Sequence, residues 1–168
     1  MNSIFLPFIK AEDIDNAKGS GNPEDLYDLM AQPLHEWLYQ QGSFDHIDQL
    51  SQGQQLLLTY DYLRMQVGQG GFIQFIQNGY VGLLPDLIEQ LYMLKANDMA
   101  KVLDDVLKVY VLNRDLLNKE TSVEEFAKLY AELKEFEQIE DRFNSFNPQA
   151  ITLILEYTLE HLTEFIAS

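Results

Sequence analysis

Residues 51–79, SQGQQLLLTYDYLRMQVGQGGFIQFIQNG, decide the fold of this chain. Ser51 is followed three residues later by Gln54, the capping-box pattern that marks the first turn of a helix. Apolar residues then recur at helical spacing, at Leu56, Leu57, Tyr60, Leu63, Met65 and Val67. This spacing predicts an amphipathic helix with one buried face.

Glycines interrupt that helix near its end. Gly68, Gly70 and Gly71 each cost a helix about 1 kcal/mol relative to alanine, so we expect the helix to stop there. A short helix is predicted over 72–77, and Asn78-Gly79 is a plausible left-handed C-cap for it. The glycines lack the Gly-Lys-Ser/Thr ending of a phosphate loop, so a tight turn between helices is favoured over ligand binding.

Helical signals continue on both sides of this stretch. Asn22-Pro23 is typical of a helix start, and Pro33 is expected to break and restart that helix. Ser122 and Glu125 form a second capping box, and Asn147-Pro148 is expected to begin the last helix. No convincing strand pair and no internal repeat is visible.

Length and composition favour one folded domain. The chain has 168 residues, of which 46% are apolar and 12% aromatic, enough for one good core. We therefore predict an all-α, single-domain helical bundle of about six to eight helices over 1–168. Residues 13–22 are polar and turn-rich and follow a short apolar run near the amino terminus, and the sequence leaves 1–21 as a poorly defined N-terminal segment.

Charge and cysteine content limit the function. Eleven basic and 27 acidic residues give a net charge of −16, and dividing the chain after Leu103 gives −8 for each part. No basic cluster exists for phosphate contacts, so direct binding to nucleic acid or to an anionic membrane is disfavoured. The chain has no cysteine, no signal-peptide pattern and no membrane-length apolar run, so we expect a cytoplasmic protein.

The residues that could carry catalysis or bind a metal do not form a convincing pattern. His35, His46 and His161 lack the paired spacing of a zinc-protease or di-iron helix, and no serine lies in a Gly-x-Ser-x-Gly elbow. Adjacent acids on a helix diverge and do not meet at one substrate. We predict no catalytic residue, no metal site and no cofactor, and expect that the protein is not an enzyme.

The glycine stretch also carries a resemblance. Residues 69–79 are similar to the pattern Asn-Gly-Gly-Phe-x-Gln-aromatic-aromatic-x-Asn of a family of small acidic bacterial proteins, mostly of unknown function. The best-known member of that family is a DNA-mimic protein. The matching residues are Gly70, Gly71, Phe72, Gln74, Phe75 and Asn78, whereas Gln69 and Ile76 depart from the pattern. The resemblance covers about 50–165, and structural roles alone could account for the motif.

The resemblance implies an all-helical fold, self-association as a possible homodimer, and an acidic surface that can occupy the nucleic-acid site of a DNA-binding protein. We therefore predict an acidic protein-binding module whose partner is a basic or DNA-binding protein. The candidate partner-binding acids are Asp104, Asp105, Asp115, Glu124, Glu125, Glu132, Glu135, Glu137, Glu140 and Asp141. Ordinary solubilising charge explains these acids equally well.

Two other functions remain open. An immunity or antitoxin-like protein would use the same acidity to neutralise one specific partner, encoded nearby. A small ligand-binding protein or enzyme would need a pocket near the glycine turn. The polar groups available there are Tyr60, Gln74, Asn78 and Tyr80, which could instead tie helices together.

Overall fold

The computed structural model describes residues 3–119 and 121–168, and the regular structure in these ranges is helical. The α-helices are α1 (Ala11–Gly19), α2 (Pro23–Gln41), α3 (Gln52–Gln77), α4 (Leu84–Met93), α5 (Asn97–Leu112), α6 (Arg114–Leu117), α7 (Val123–Glu132) and α8 (Glu135–Glu160). Short 3₁₀ segments cover Phe44–Gln49, Val81–Leu83 and Leu162–Glu164. No strand occurs in the described ranges, which confirms the predicted all-α class.

The chain divides into two compact units. The terminal unit consists of Met1–Asp61 and Ile151–Ser168, and the central unit consists of Tyr62–Ala150. Helices α3 and α8 contribute residues to each unit. The single domain over 1–168 stays a prediction, and the part of it that concerns Met1, Asn2 and Glu120 lies outside the described residues.

The capping box predicted at the start of α3 is confirmed. The Ser51 hydroxyl accepts the Gln54 N–H at 3.1 Å, and the Gln54 side chain accepts the Ser51 N–H at 2.9 Å. Gln54 is fully buried, so its side chain must satisfy all its polar groups within the protein.

The same glutamine joins both ends of the chain inside the terminal unit. Its Nε2 donates to the carbonyls of Phe5 at 2.9 Å and Phe165 at 3.1 Å. Nearby, the Ala167 N–H donates to the Pro7 carbonyl at 2.9 Å. These bonds form the Gln54 clip, in which one neutral amide holds an N-terminal and a C-terminal segment.

The N-terminal segment is more ordered than the sequence indicated. Residues 11–19 form α1, whose Ile14 is buried. Further along the chain, α2 buries Tyr27, and the Tyr27 hydroxyl donates to the Leu57 carbonyl at 2.6 Å. Phe5 stacks on Trp37 with ring centroids 5.5 Å apart. The terminal unit therefore has its own aromatic core.

Two predictions about prolines were wrong. Pro33 lies inside a continuous α2, and Pro148 lies inside a continuous α8 instead of beginning it. A proline in a helix interior costs about 3 kcal/mol. Buried residues lie within two positions of each proline, Leu34 in α2 and Ala150 in α8, and the packing of these helices offsets that cost.

Other predicted helix ends are confirmed. Asn22 caps α2 by accepting the Glu24 N–H at 3.1 Å, with Pro23 in the first turn. Ser122 caps α7 by accepting the Glu125 N–H at 3.3 Å. Gly79, with a φ of +88°, supplies the left-handed residue after α3. No helix in the described ranges has a long enough apolar stretch to cross a bilayer.

Candidate functional site

The glycine motif forms a kink in α3 within the central unit. Gly70 and Gly71 have non-helical backbone angles, with φ/ψ of −154°/16° and 74°/−173°. The predicted stop of the helix is confirmed at these two residues. The Gly71 conformation is essentially restricted to glycine, so the kink depends on the absence of a side chain at this position.

Two polar side chains from other helices meet the kink. The Glu140 carboxylate of α8 accepts the Phe72 N–H through Oε1 at 2.9 Å. The Tyr130 hydroxyl of α7 hydrogen-bonds to the Gly70 carbonyl and lies 3.3 Å from the same Glu140 oxygen. A Cβ on Gly71 would collide with both of these side chains. The missing side chain therefore makes the room that they occupy.

Burial changes the acidity of this pair. The pKa of Glu140 lies above its ordinary value of 4.5, mainly because burial disfavours the charged form. The hydrogen bonds from Phe72 and Tyr130 oppose that rise, while the charges of Asp141 and Glu137 add to it. Burial and the Glu140 charge also raise the pKa of Tyr130. The tyrosine is therefore a hydrogen-bond donor at neutral pH.

Aromatic packing fixes the helix segment that follows the kink. Phe72 and Phe75 are fully buried. The Phe72 ring stacks on Phe136 at 6.4 Å and meets Phe143 edge-on at 5.6 Å, and Phe75 stacks on Tyr80 at 5.8 Å. Such aromatic pairs contribute about 0.5–1.5 kcal/mol each beyond burial.

The two polar residues of the motif share one acceptor. Gln74 donates to the Gln66 side-chain oxygen at 3.2 Å, and Asn78 donates to the same oxygen at 2.7 Å. These bonds tie together successive turns on both sides of the kink. Such contacts support a structural role for the motif, which stays a prediction.

Sequence reasoning did not single out Gln66 or Tyr130. Neither residue belongs to the motif. Tyr130 meets the kink from 60 positions along the chain, whereas Gln66 lies only four residues before Gly70 but belongs to no recognisable pattern. Glu140 was predicted as a surface acid. In the structure it is half-buried against the kink, so a binding partner can reach less of this carboxylate than of an exposed one.

The predicted partner-binding acids lie on four helices of the central unit, and they differ in their surroundings. Asp104 pairs with Lys108 at 3.3 Å, and Asp105 pairs with Arg142 at 2.7 Å. The exposed members of the set are Asp115, Glu124, Glu125, Glu132, Glu135, Glu137 and Asp141. Whether they form a binding surface stays a prediction.

One cleft of about 660 Å³ shows how far these acids are balanced by cations. It brings together α5, α7 and α8. Its charged residues are three acids and three bases, namely Asp105, Glu132, Glu135, Lys108, Lys134 and Arg142. The acids that the structure brings together here therefore have an equal number of cations beside them.

The two units differ strongly in net charge. The central unit has fourteen acidic and nine basic residues, a net charge of −5. The terminal unit has thirteen acidic residues and two lysines, Lys10 and Lys18, a net charge of −11. Its exposed acids are Glu12, Asp13, Asp15, Asp25, Asp28, Glu36, Asp45, Asp48, Glu156 and Glu160. Most of the net acidity thus lies outside the predicted surface.

Part of this acidity is aligned along α2. Asp25, Asp28 and Glu36 are exposed and follow helical spacing along one face. Gln32 lies on the same face and donates to Glu36 at 3.1 Å. The spacing of these acids can be read from the sequence. That they belong to the more acidic unit follows only from the tertiary grouping of the chain segments.

The described ranges contain no candidate metal-binding site. No group of three or more histidine, aspartate and glutamate side chains there could hold a metal ion. His35 instead lies 2.7 Å from Asp61, and His161 stacks on Tyr157 at 4.1 Å.

Comparison with known proteins agrees with the motif. A family model described as DMP19-like protein matches residues 48–162, more than half of the chain. The match includes the kink and both helices that meet it, and it confirms the resemblance predicted for about 50–165. None of the curated proteins matches the chain.

Proposed function

The chain belongs to the DMP19-like family, and from this membership we propose that it is an acidic protein-binding module of the DNA-mimic type. It would occupy the nucleic-acid site of a basic or DNA-binding protein. The proposal includes no catalytic step, no cofactor and no direct contact with nucleic acid. We place this function in the cytoplasm, where partners of this kind work.

The net charge of −16 is the single observation that carries the proposal beyond the family. A 30 Å length of duplex DNA carries roughly 18 phosphates. The terminal unit has ten exposed acids and two lysines, so it comes nearer to that charge density than the central unit does. Complementary charge mainly accelerates association and makes it sensitive to salt.

Self-association would increase the resemblance to DNA. The net charge of one chain, −16, is below the charge of a 30 Å length of duplex even before it is divided among different faces, so a homodimer that aligns two acidic faces would double the charge along one side. We propose such a pair as the active form. Light scattering at low and physiological salt tests it: a monomer at every concentration up to about 100 µM would contradict the dimer but leave the binding proposal standing.

Capture from a lysate of the native host tests the binding proposal. Immobilised protein should retain a DNA-binding protein at low salt and release it at high salt. The captured protein should then lose a labelled DNA duplex when the acidic protein is added. Capture of no DNA-binding protein at low salt, or of one that keeps its duplex, would overturn the proposal.

A different result would favour neutralisation of one toxin. In that case a single partner would stay bound at high salt, because desolvated and well-packed contacts resist screening. The gene for that partner would also lie beside the gene for this protein.

A further inference from the structure

Helix α7 has little apolar anchoring. Of the ten residues of Val123–Glu132, all of which the structure describes, Leu129 alone is buried. Phe126 is half-buried and meets Tyr130 edge-on at 5.3 Å. An element with few buried apolar contacts opens at low free-energy cost. The polar contacts of α7 therefore matter more to its position than those of a well-buried helix would.

Those polar contacts converge on the kink. The Tyr130 hydroxyl reaches the Gly70 carbonyl and lies beside the Glu140 oxygen that accepts the Phe72 N–H. Gly71 leaves open the space that these groups fill. One tyrosine hydroxyl thus joins α7 to both α3 and α8.

We propose that Tyr130 and Glu140 form a latch that holds α7 on the kink, and that α7 opens as a local unit when this latch is released. The latch follows from contacts within the central unit and does not depend on the identity of the partner. It assigns a conformational role to the glycine motif, beyond its role in ending a helix.

Opening of the latch would reposition part of the acidic surface. Glu124, Glu125 and Glu132 are exposed on α7, so they move with it. A helix that detaches at low cost can adjust these acids to a partner without disturbing the packed rest of the central unit.

The electrostatic surroundings of Glu140 support a latch that responds to its environment. The groups facing it are the Tyr130 hydroxyl from α7, the Phe72 amide from α3, and Glu137 and Asp141 from its own helix. Burial keeps the pKa of Glu140 above its ordinary value. A charge held at some cost in a half-buried position makes the latch less stable than a neutral hydrogen-bond network would be.

Hydrogen exchange on the full chain tests the latch. Tyr130→Phe removes only the hydroxyl and keeps the ring on Phe126. A lost hydrogen bond of this kind changes an equilibrium by about five- to tenfold, so amides of α7 should exchange about five- to tenfold faster. Amides of α5 should be unchanged.

Tyr110→Phe is the matched control. Its hydroxyl donates to Asn118 at 3.1 Å, in the same unit but outside the latch. This variant should leave exchange in α7 unchanged. The latch is overturned if Tyr130→Phe leaves α7 at its normal rate, if both variants accelerate α7 equally, or if Tyr130→Phe accelerates the whole central unit uniformly.

Discussion

The terminal and central units use their polar residues in different ways. In the terminal unit a neutral amide, Gln54, joins the two terminal segments, and the unit contains thirteen acids but only two lysines. In the central unit the Glu140 carboxylate accepts a hydrogen bond from the kink, and other acids form ion pairs with nearby cations. An acid that is half-buried and hydrogen-bonded within the fold, or paired with a cation, is less available to a binding partner. The comparison therefore points to the terminal unit as the larger source of net negative charge.

Gly71→Ala should have the largest effect, and it should fall on the central unit. The φ of +74° strains any residue with a Cβ, and the new Cβ would displace Tyr130 and Glu140. We expect a loss of about 3 kcal/mol in the free energy of unfolding, measured by urea denaturation.

Gly68→Ala serves as the control for that change. Gly68 lies in the helical part of α3 with open space where a Cβ would be. Alanine there should be neutral or stabilising by up to about 1 kcal/mol. Equal effects of the two substitutions would show that the kink has no special need for glycine.

Gln54→Ala should have the second largest effect, and it should fall on the terminal unit. The substitution leaves the buried Ser51 N–H and the carbonyls of Phe5 and Phe165 without their partner. We expect a loss of about 2 kcal/mol in the free energy of unfolding, measured by urea denaturation. Amides near the chain ends should also exchange faster with solvent. Gln52→Ala, at an exposed neighbour, should stay within about 0.5 kcal/mol of the natural protein. A Gln54 variant as stable as the Gln52 variant would refute the clip.

Local patterns predicted most of the fold. Capping residues such as Ser51 and Asn22 act on their own first turns, so three or four residues suffice to recognise them. The helix stop at Gly71 was predictable for the same reason, because the conformational preference of glycine acts at its own position. It also explains the failures at Pro33 and Pro148, because buried side chains brought in by the tertiary fold offset the local cost of proline.

The candidate site was less predictable because its parts are distant in sequence. Gly71 and Glu140 are 69 positions apart in the chain, and no periodicity reveals that they meet. The charge distribution had the same difficulty. Dividing the chain after Leu103 gives equal charges, whereas the structure returns residues 151–168 to the unit formed by the first 61. Only the tertiary grouping shows that the acidity is uneven.

Two sets of charge-neutralising substitutions test the comparison between the units directly. The terminal set is Asp25→Asn, Glu36→Gln, Asp45→Asn and Asp48→Asn, and the central set is Glu124→Gln, Glu125→Gln, Glu135→Gln and Asp141→Asn. Each set removes four exposed charges. Affinity for the partner captured from the lysate should fall about tenfold for the terminal set and about threefold for the central set, mainly through slower association.

The matched number of charges makes the two sets each other's control. An equal or larger loss from the central set would place the binding surface on the acids predicted from the sequence. Circular dichroism should show that both sets keep their helices, so that a change in affinity reports on charge.

Glu140→Gln should have the smallest effect, and its sign distinguishes the central kink from an ordinary salt bridge. The pKa of Glu140 in the folded protein is raised above 4.5, so the folded state holds its proton more tightly than the unfolded state does. This contribution to stability is present at low pH and is lost as the pH rises through the raised pKa. Glutamine keeps an oxygen that can accept the Phe72 N–H, yet it cannot ionise. The difference in unfolding free energy between variant and natural protein should therefore shift in favour of the variant as the pH rises from about 4.5 to 7.

Glu135→Gln, at an exposed site on the same helix, provides the control for the removal of a negative charge without a change at the kink. If the difference shifted the other way, towards the natural protein at neutral pH, the carboxylate would be a net stabilising charge. The kink would then resemble the ion pairs around it instead of contrasting with the neutral clip of the terminal unit.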